Sequence, residues 1–373
     1  MNTLPLVFTS RFTRSRSIAR PLLGAFVVLS LVLATPGPAL ARVKPTVLRL
    51  ATLLPRGSSW MRQLNRFAKR VKRRTRGHVV IRCFPGAIMG DERDMIRKMR
   101  QGRLDVAALS GTGLGQILPA SRVLEMPLLF RDIGEAEAAR NGIAPTLIAA
   151  LHKKGFELLS WGELGWIRYF SRRPLRTLAD LRRAQFWTWT DDPLATAITR
   201  HFRLRAVKLP IQDVLPALQT GMVTGFYATP YIALALQWYA PVRYYSPFRI
   251  SYGVAGLVIR RSVLEALPLR WRRLLRNEGQ RYGKRHIVQV RRENKEAIVV
   301  LERNGLTKIA KSPALLRELL RLAPRIWASL TGKLFSKALL KQVILLRDTY
   351  RRRHGRGSHR RRHGRPKKRT LSP

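Results

Sequence analysis

The chain has 373 residues, 46% of them hydrophobic, which is enough to bury a core and form two domains and too apolar for a disordered polymer. It carries 72 Lys and Arg against 21 Asp and Glu, a net charge of +51, which reads either as a field that draws anions (nucleic acid, anionic lipid or lipopolysaccharide) or as a solvated surface of drifted Arg content. The single cysteine, Cys83, rules out an internal disulfide framework.

Residues 1–41 stand apart. Arg11, Arg14, Arg16 and Arg20 precede an apolar run over 22–33, a Pro-Gly-Pro break follows, and Ala39-Leu40-Ala41 puts small residues at −3 and −1. This is the pattern of a cleavable secretory signal peptide cut after Ala41, and the run is too short to span a bilayer comfortably. The mature chain is therefore expected in the periplasm, where nucleic acid is the least reachable of the anions.

Residues 46–52 read as a first strand. Ser58 can cap a helix with Trp60, Leu64, Phe67 and Val71 on one face. Residues 79–84 read as a second strand, on which Cys83 is expected as a small buried hydrophobe. Asp91 can cap a helix with Met95, Ile96 and Met99 at helical spacing, and Gly102 stops it. Residues 104–109 then form a short buried strand followed by a Gly-rich loop, Ser110-Gly111-Thr112-Gly113, whose small residues let backbone N–H groups approach a guest. If the strands at 46–52 and 104–109 share a parallel sheet, the loop at 53–57 lies beside Ser110 at their carboxyl ends, where such sheets bind ligands.

Asp132 and Glu135 resemble a capping box opening a helix to about residue 151, and a strand follows over 156–161. From Leu164 a second α/β set begins: strands at 166–171 and 185–189 around a short helix at 178–182, a helix at 193–202, a strand at 204–209, a helix at 211–220 and a strand at 224–228. Strands near 243–245 and 252–259 return the chain. A long charged helix spans 269–303, helices at 313–330 and 335–351 complete the folded part, and residues 351–373 read as a disordered basic tail.

No catalytic constellation has the context it needs. His78, His152, His201 and His286 are isolated, with no HExxH and no cysteine partner. Ser110 lacks G-x-S-x-G, and Gly111, Gly113 and Gly115 lack the Lys-Ser/Thr ending of a phosphate loop. Neither an enzyme nor a metal or cofactor is expected. What stands out is an aromatic cluster, with five of the eight Trp lying between Trp161 and Trp238 beside Phe186, Phe226, Tyr227 and Tyr231. A lone Trp of this kind more often fills a core, but period-2 alternation puts Trp187 and Trp189 on one face and Phe186 on the other, so one face can line a cavity.

Several ordered phrases carry a resemblance: QGRLDVA at 101–107, LEMPLLF at 124–130, RTLADL at 176–181, DVLPALQTGMVTGFYATP at 213–230 and LEALP at 264–268. Over roughly residues 47–306 the chain resembles the DctP-type solute-binding proteins of TRAP transporters. The resemblance implies an α/β, two-lobed periplasmic-binding-protein-like fold with a long bracing helix. Residues 42–162 and 251–350 would form lobe 1 and residues 163–250 lobe 2. It also implies capture of a small organic ligand in the interdomain cleft and delivery to TRAP membrane permease subunits.

In that family an Arg just after an ADLKGLK phrase pairs with the ligand carboxylate; here the phrase ends on Trp187. The Asn before the Pro of a GAENP phrase is here Thr229, and the Arg of a GFR phrase maps to Ile167, with Arg168 one place off and on the opposite face of a strand. The carboxylate clamp is dismantled, and a cleft walled by indole suits an apolar or uncharged ligand. The expected ligand-binding residues are Trp187, Trp189, Thr229, Tyr227, Ser110, Trp166 and Arg168. A family branch with apolar pockets is associated with a periplasmic helical-repeat protein, so such a partner is implied. The alternatives are an exported basic protein that holds anionic envelope polymers or lipids with a vestigial cleft, and an enzyme grafted on the same fold.

Overall fold

The computed structural model describes residues 44–360, with side chains as far as residue 354. The expected signal peptide and residues 361–373 lie outside the described residues. No helix among the described residues is long and apolar enough to cross a membrane.

The chain opens with β1 (Thr46–Thr52), α1 (Ser59–Arg74), β2 (Val79–Phe84), α2 (Glu92–Arg100) and β3 (Val106–Ser110). The helices start where the sequence supplies caps: Ser58 Oγ accepts from the Met61 N–H and Asp91 Oδ1 from the Asp94 N–H. β2, β1 and β3 pair in parallel, which the intervening helices make possible. Met61, Leu64, Phe67 and Val71 of α1 are buried against Leu48 and Leu50 of β1. Cys83 lies on β2 but is only half-buried, and that burial pushes its thiol up to about 11.

The Gly-rich segment after β3 is the first departure from expectation. It is a helix, α3 (Gly111–Ile117), with Ser110 as N-cap accepting from the Thr112 N–H at 3.2 Å. A 3₁₀ turn (Pro119–Glu125) and α4 (Ile133–Lys153) follow. The strands expected at 156–161 and 166–171 are one continuous strand, β4 (Phe156–Ser171). Two irregularities, between Leu158 and Ser160 and between Glu163 and Gly165, bend it without ending it. Gly165 takes φ 102°, a left-handed value that favours glycine, while Asn294 Nδ2 donates to the Leu164 carbonyl at 2.9 Å.

The second set comprises α5 (Leu178–Arg183), β5 (Gln185–Thr188), α6 (Pro193–Phe202), β6 (Arg205–Lys208), a 3₁₀ turn (Ile211–Asp213), α7 (Val214–Thr220), β7 (Gly225–Ala228), α8 (Pro230–Ala235) and β8 (Tyr244–Tyr245). β9 (Ser251–Arg260), α9 (Arg261–Glu265), α10 (Leu269–Arg303), β10 (Thr307–Lys308), α11 (Pro313–Leu330) and α12 (Lys337–Arg360) close the chain. The strand order is β2-β1-β3-β9-β4-β7-β5-β6, with β8 and β10 paired beside the far end of β4. β4 thus belongs to both halves, pairing antiparallel with β9 along its first part and with β7 and β8 at its end. The result is a mixed α/β fold in two lobes.

The 35-residue α10 lies across the bend of β4. It approaches so closely that a Cβ at Gly279 would sit 2.9 Å from the Leu159 carbonyl oxygen, and one at Gly283 2.6 Å from that of Trp161. Beneath it the fully buried Glu163 accepts from Arg140 Nη1 (2.7 Å), Arg291 Nε (2.8 Å) and Arg291 Nη2 (2.7 Å), and from the Tyr252 hydroxyl. Burial pushes this carboxyl up, but the bonds from Arg291 and Tyr252 and the Arg140 charge outweigh it, so Glu163 stays below the ordinary carboxylate range. One side chain therefore ties α4, β4, β9 and α10 together.

The basic tail also departs from expectation. Residues 351–360 continue α12 as helix, and at the start of that stretch Arg351 Nε and Nη2 donate to Glu135 at 2.6 and 2.8 Å.

Candidate ligand-binding cleft

The carboxyl ends of β1 and β3 in one lobe face β5 and β7 of the other across a cavity of about 200 Å³. Leu53, Leu54 and Pro55 line it beside Ser110, as the parallel pairing of β1 and β3 requires. Its floor is the stretch where β4 and β9 run together, including Ser160, Gly162, Ala255 and Gly256. Glycine keeps this floor low: a Cβ at Gly256 would meet Leu158 Cδ1 at 2.7 Å.

One wall is aromatic. Trp187, only 2% exposed, has Trp189, Tyr227 and Trp238 around it at centroid distances of 5.2, 5.4 and 5.1 Å. Its Nε1 donates to the Leu209 carbonyl at 2.9 Å, so the N–H is spent inside the lobe and the ring faces the cleft. Thr229 caps α8 by accepting from the Ile232 N–H at 3.4 Å and also lines the cavity. Burial raises the Tyr227 hydroxyl well above its usual range, so it stays protonated.

A charged cluster lies next to Tyr227 in the same lining. Arg122 Nη2 donates to Asp192 Oδ2 at 2.9 Å and Oδ1 at 3.2 Å, and its Nη1 donates to Glu125. Asp192 is itself the N-cap of α6, accepting from the Leu194 N–H at 2.9 Å, so this buried pair joins the lobes across the cleft. Glu125 Oε1 accepts from the Val254 N–H at 2.9 Å. Glu92 takes the Ser110 N–H and hydroxyl, each at 2.5 Å, and the Gly113 N–H at 2.8 Å. Gly111 and Gly113 have no Cβ because those carboxylates occupy the space: the added atoms would stand 2.2 Å from Glu125 and 2.8 Å from Glu92. Burial pushes both glutamates up, opposed by their hydrogen bonds. Burial alone would lower Arg122, but the Asp192 and Glu125 charges hold its proton more tightly.

The far rim carries a second contact between the lobes. Trp60 stacks on Tyr231 at 4.3 Å, and Ser59 Oγ lies 2.8 Å from the Tyr231 hydroxyl. Next to Trp60, His286 closes the end of the cavity, its Nε2 3.2 Å from the Glu163 carbonyl.

The family model described as bacterial extracellular solute-binding protein, family 7 (DctP) matches residues 50–331. The chain belongs to this family. A solute-binding protein of Verminephrobacter eiseniae is 25% identical over 249 residues, covering 66% of this chain and 74% of that one. The 2,3-diketo-L-gulonate-binding periplasmic protein YiaO of Escherichia coli is 24% identical over 220 residues, 58% of this chain and 67% of its own length. Among solved structures, a TRAP periplasmic solute-binding protein of Ralstonia eutropha with bound (S)-2-acetolactate superposes with a TM-score of 0.77 at 19% identity, covering 82% of this chain and 100% of that one. Another, of Desulfovibrio salexigens with bound orotic acid, gives 0.74 at 21% identity, covering 82% and 99%. The fold is that of two-lobed TRAP periplasmic receptors, a family of extracytoplasmic binders of small organic molecules rather than of enzymes.

Within this DctP-family cleft the structure gathers Trp187, Trp189, Tyr227, Thr229 and Ser110. Two expected residues fall outside it. Arg168 turns to the other face of β4, where Nη1 donates to the carbonyls of Ser246 (2.8 Å) and Pro247 (2.9 Å); strand alternation gives the cleft to Ile167 and Tyr169 instead. Trp166 packs edge-on to Tyr252 at 4.8 Å with the Arg249 guanidinium 5.0 Å over its ring. Sequence reasoning missed Glu92, Arg122, Glu125, Asp192 and His286. An Asp before Pro193 is a pattern that can mark a helix cap, which Asp192 is; that it meets Arg122 follows from the lobes facing each other, which no local pattern encodes.

Proposed function

We propose that this DctP-family protein is a periplasmic receptor, exported by a cleavable signal peptide, that captures a small organic ligand with a largely apolar body and no carboxylate anchor. It closes its lobes on that ligand and passes it to a TRAP permease, with a helical-repeat protein as a further periplasmic partner.

One observation carries the ligand assignment. Arg122 is the only Lys or Arg among the described residues lining the cleft, and its guanidinium is already held by Asp192 and Glu125. The positions where the family places carboxylate-binding arginines are Trp187 and Ile167, both in the cavity wall. Relatives crystallised with (S)-2-acetolactate, orotic acid and D-glucuronate hold acids. A ligand carboxylate here would lose its hydration without gaining a free cation, which disfavours the same mode. The vestigial-cleft alternative is disfavoured by the closed aromatic wall and the paired contacts between lobes.

The test is calorimetric titration of purified protein with succinate, glucuronate and orotate beside uncharged aromatic and alicyclic compounds. The expected result is no saturable heat with the acids and binding within the uncharged set. Micromolar binding of an acid would sink the assignment while leaving the receptor role intact.

A further inference from the structure

Outside the cleft, a solvent-facing hollow lies on the rim where the lobes meet. Arg93, Arg97 and Arg100 of α2, with the buried Ile96 and with Gln116 of α3, enclose about 220 Å³, and no acidic residue lines it among the described residues. The spacing i, i+4 and i+7 puts the three arginines on one face of α2, along about 10 Å of its axis.

The three cations are committed to different degrees. Arg97 pairs with Asp94 of its own helix at 2.6 Å. Arg100 Nη2 reaches only the Gln116 carbonyl, at 3.4 Å. Arg93 Nη1 donates to Asp191 Oδ2, which comes from the other lobe, and Gln116 Nε2 donates to the Asp191 carbonyl at 3.3 Å. Asp191 takes φ 58°, a left-handed value uncommon outside glycine that persists where the surroundings hold it. The hollow is therefore already a carboxylate site, filled at one end by a side chain of the facing lobe.

Two features decide what else it takes. The Arg93–Asp191 pair is exposed, its side chains 63% and 55% accessible, and exposed ion pairs contribute little, so an incoming carboxylate replaces Asp191 at small cost. A small anion would engage one guanidinium fork, whereas a row about 10 Å long matches two or three carboxylates carried on one peptide segment.

We propose that this hollow docks an acidic segment of a protein partner, whose carboxylates bind Arg97 and Arg100 and compete with Asp191 for Arg93. Docking and lobe closure then oppose each other, and by linkage each weakens the other by the same factor. That consequence for closure rests on the receptor reading above; the docking does not.

The experiment follows the anisotropy of fluorescein-labelled hexaglutamate titrated with the whole protein at low ionic strength. Because the entire surface is basic, each variant is read against a matched control elsewhere. R97Q/R100Q is expected to lose about fivefold in affinity, and R321Q/R325Q, which removes two exposed arginines of α11, less than about twofold. Asp191→Asn frees Arg93 and should tighten the peptide about threefold, whereas Glu296→Gln, which frees Arg292 from an exposed pair on α10, should not. Equal losses in the two double variants would leave only the general field and overturn the proposal, as would no tightening in Asp191→Asn beyond that in Glu296→Gln. Sedimentation with phosphatidylglycerol vesicles covers the lipid source: vesicle binding lost in R97Q/R100Q while hexaglutamate binding is unchanged would also overturn it. None of these readouts uses the cleft ligand, so their failure leaves the receptor reading standing.

Discussion

Replacing Trp187 by Ala tests whether the cleft wall and the core of the second lobe are the same object. The side chain is 2% exposed and sits among Trp189, Tyr227 and Trp238 at 5.1–5.4 Å. Truncating a buried aromatic to Ala costs about 3–5 kcal/mol, and the orphaned Leu209 carbonyl, accepting from Nε1 at 2.9 Å, adds about 1 kcal/mol. W187A should therefore lose roughly 4–6 kcal/mol, a large share of the stability of an ordinary domain. W187F keeps most of the ring contact and should lose about 1–2 kcal/mol. Restoring the family's residue with W187R is expected to be at least as damaging as W187A, since it buries a guanidinium with no partner at that spot. The assay is guanidinium unfolding followed by far-ultraviolet circular dichroism, because Trp fluorescence itself changes with the substitution. A loss below about 1 kcal/mol in W187A would show that the indole is not packed as described, and the reasoning about the wall would go with it.

Glu163→Gln removes the charge that holds Arg140, Arg291 and Tyr252 under the long helix, and breaking such a buried network should cost about 3–5 kcal/mol, read from the denaturant midpoint. Asp192→Ala deletes the cap of α6 and the bridge to Arg122; a stability loss of about 1–3 kcal/mol should accompany a larger radius of gyration of the ligand-free protein in solution scattering, and an unchanged radius would mean the bridge does not hold the lobes. His286 has a folded pKa of about 4 against an ordinary 6.5, so its contribution to stability is complete above pH 6.5 and is lost as pH falls towards 4. That loss amounts to roughly 3 kcal/mol, and His286→Gln should flatten this part of the stability-against-pH curve while wild type declines through it.

Most of the local structure could be read from the sequence because it is locally encoded. The caps at Ser58, Asp91, Asp132 and Thr177 and the prolines opening the helices at 193 and 313 place helix starts to the residue. The Ser110–Gly113 stretch was open to misreading because glycines suggest a loop; here they are small so that Glu92 and Glu125 can reach the start of a helix, a reason that lies in distant residues. The continuity of β4 was hidden by its irregularities, which break the period-2 pattern without breaking the ladder. In the site, strand alternation and family motifs delivered the aromatic wall and the displacement of Arg168. The charged wall joins residues 70 positions apart, which no local pattern encodes.

The central claim is a two-lobed receptor whose cleft has exchanged a carboxylate clamp for an aromatic wall, with its one arginine held by Asp192 and Glu125. It is tested most directly by mass spectrometry of the small molecules released on denaturing protein purified from the cells that make it natively. The account predicts a stoichiometric compound with an apolar body and no carboxylate. Stoichiometric release of an organic acid such as a dicarboxylate or a uronate would contradict it.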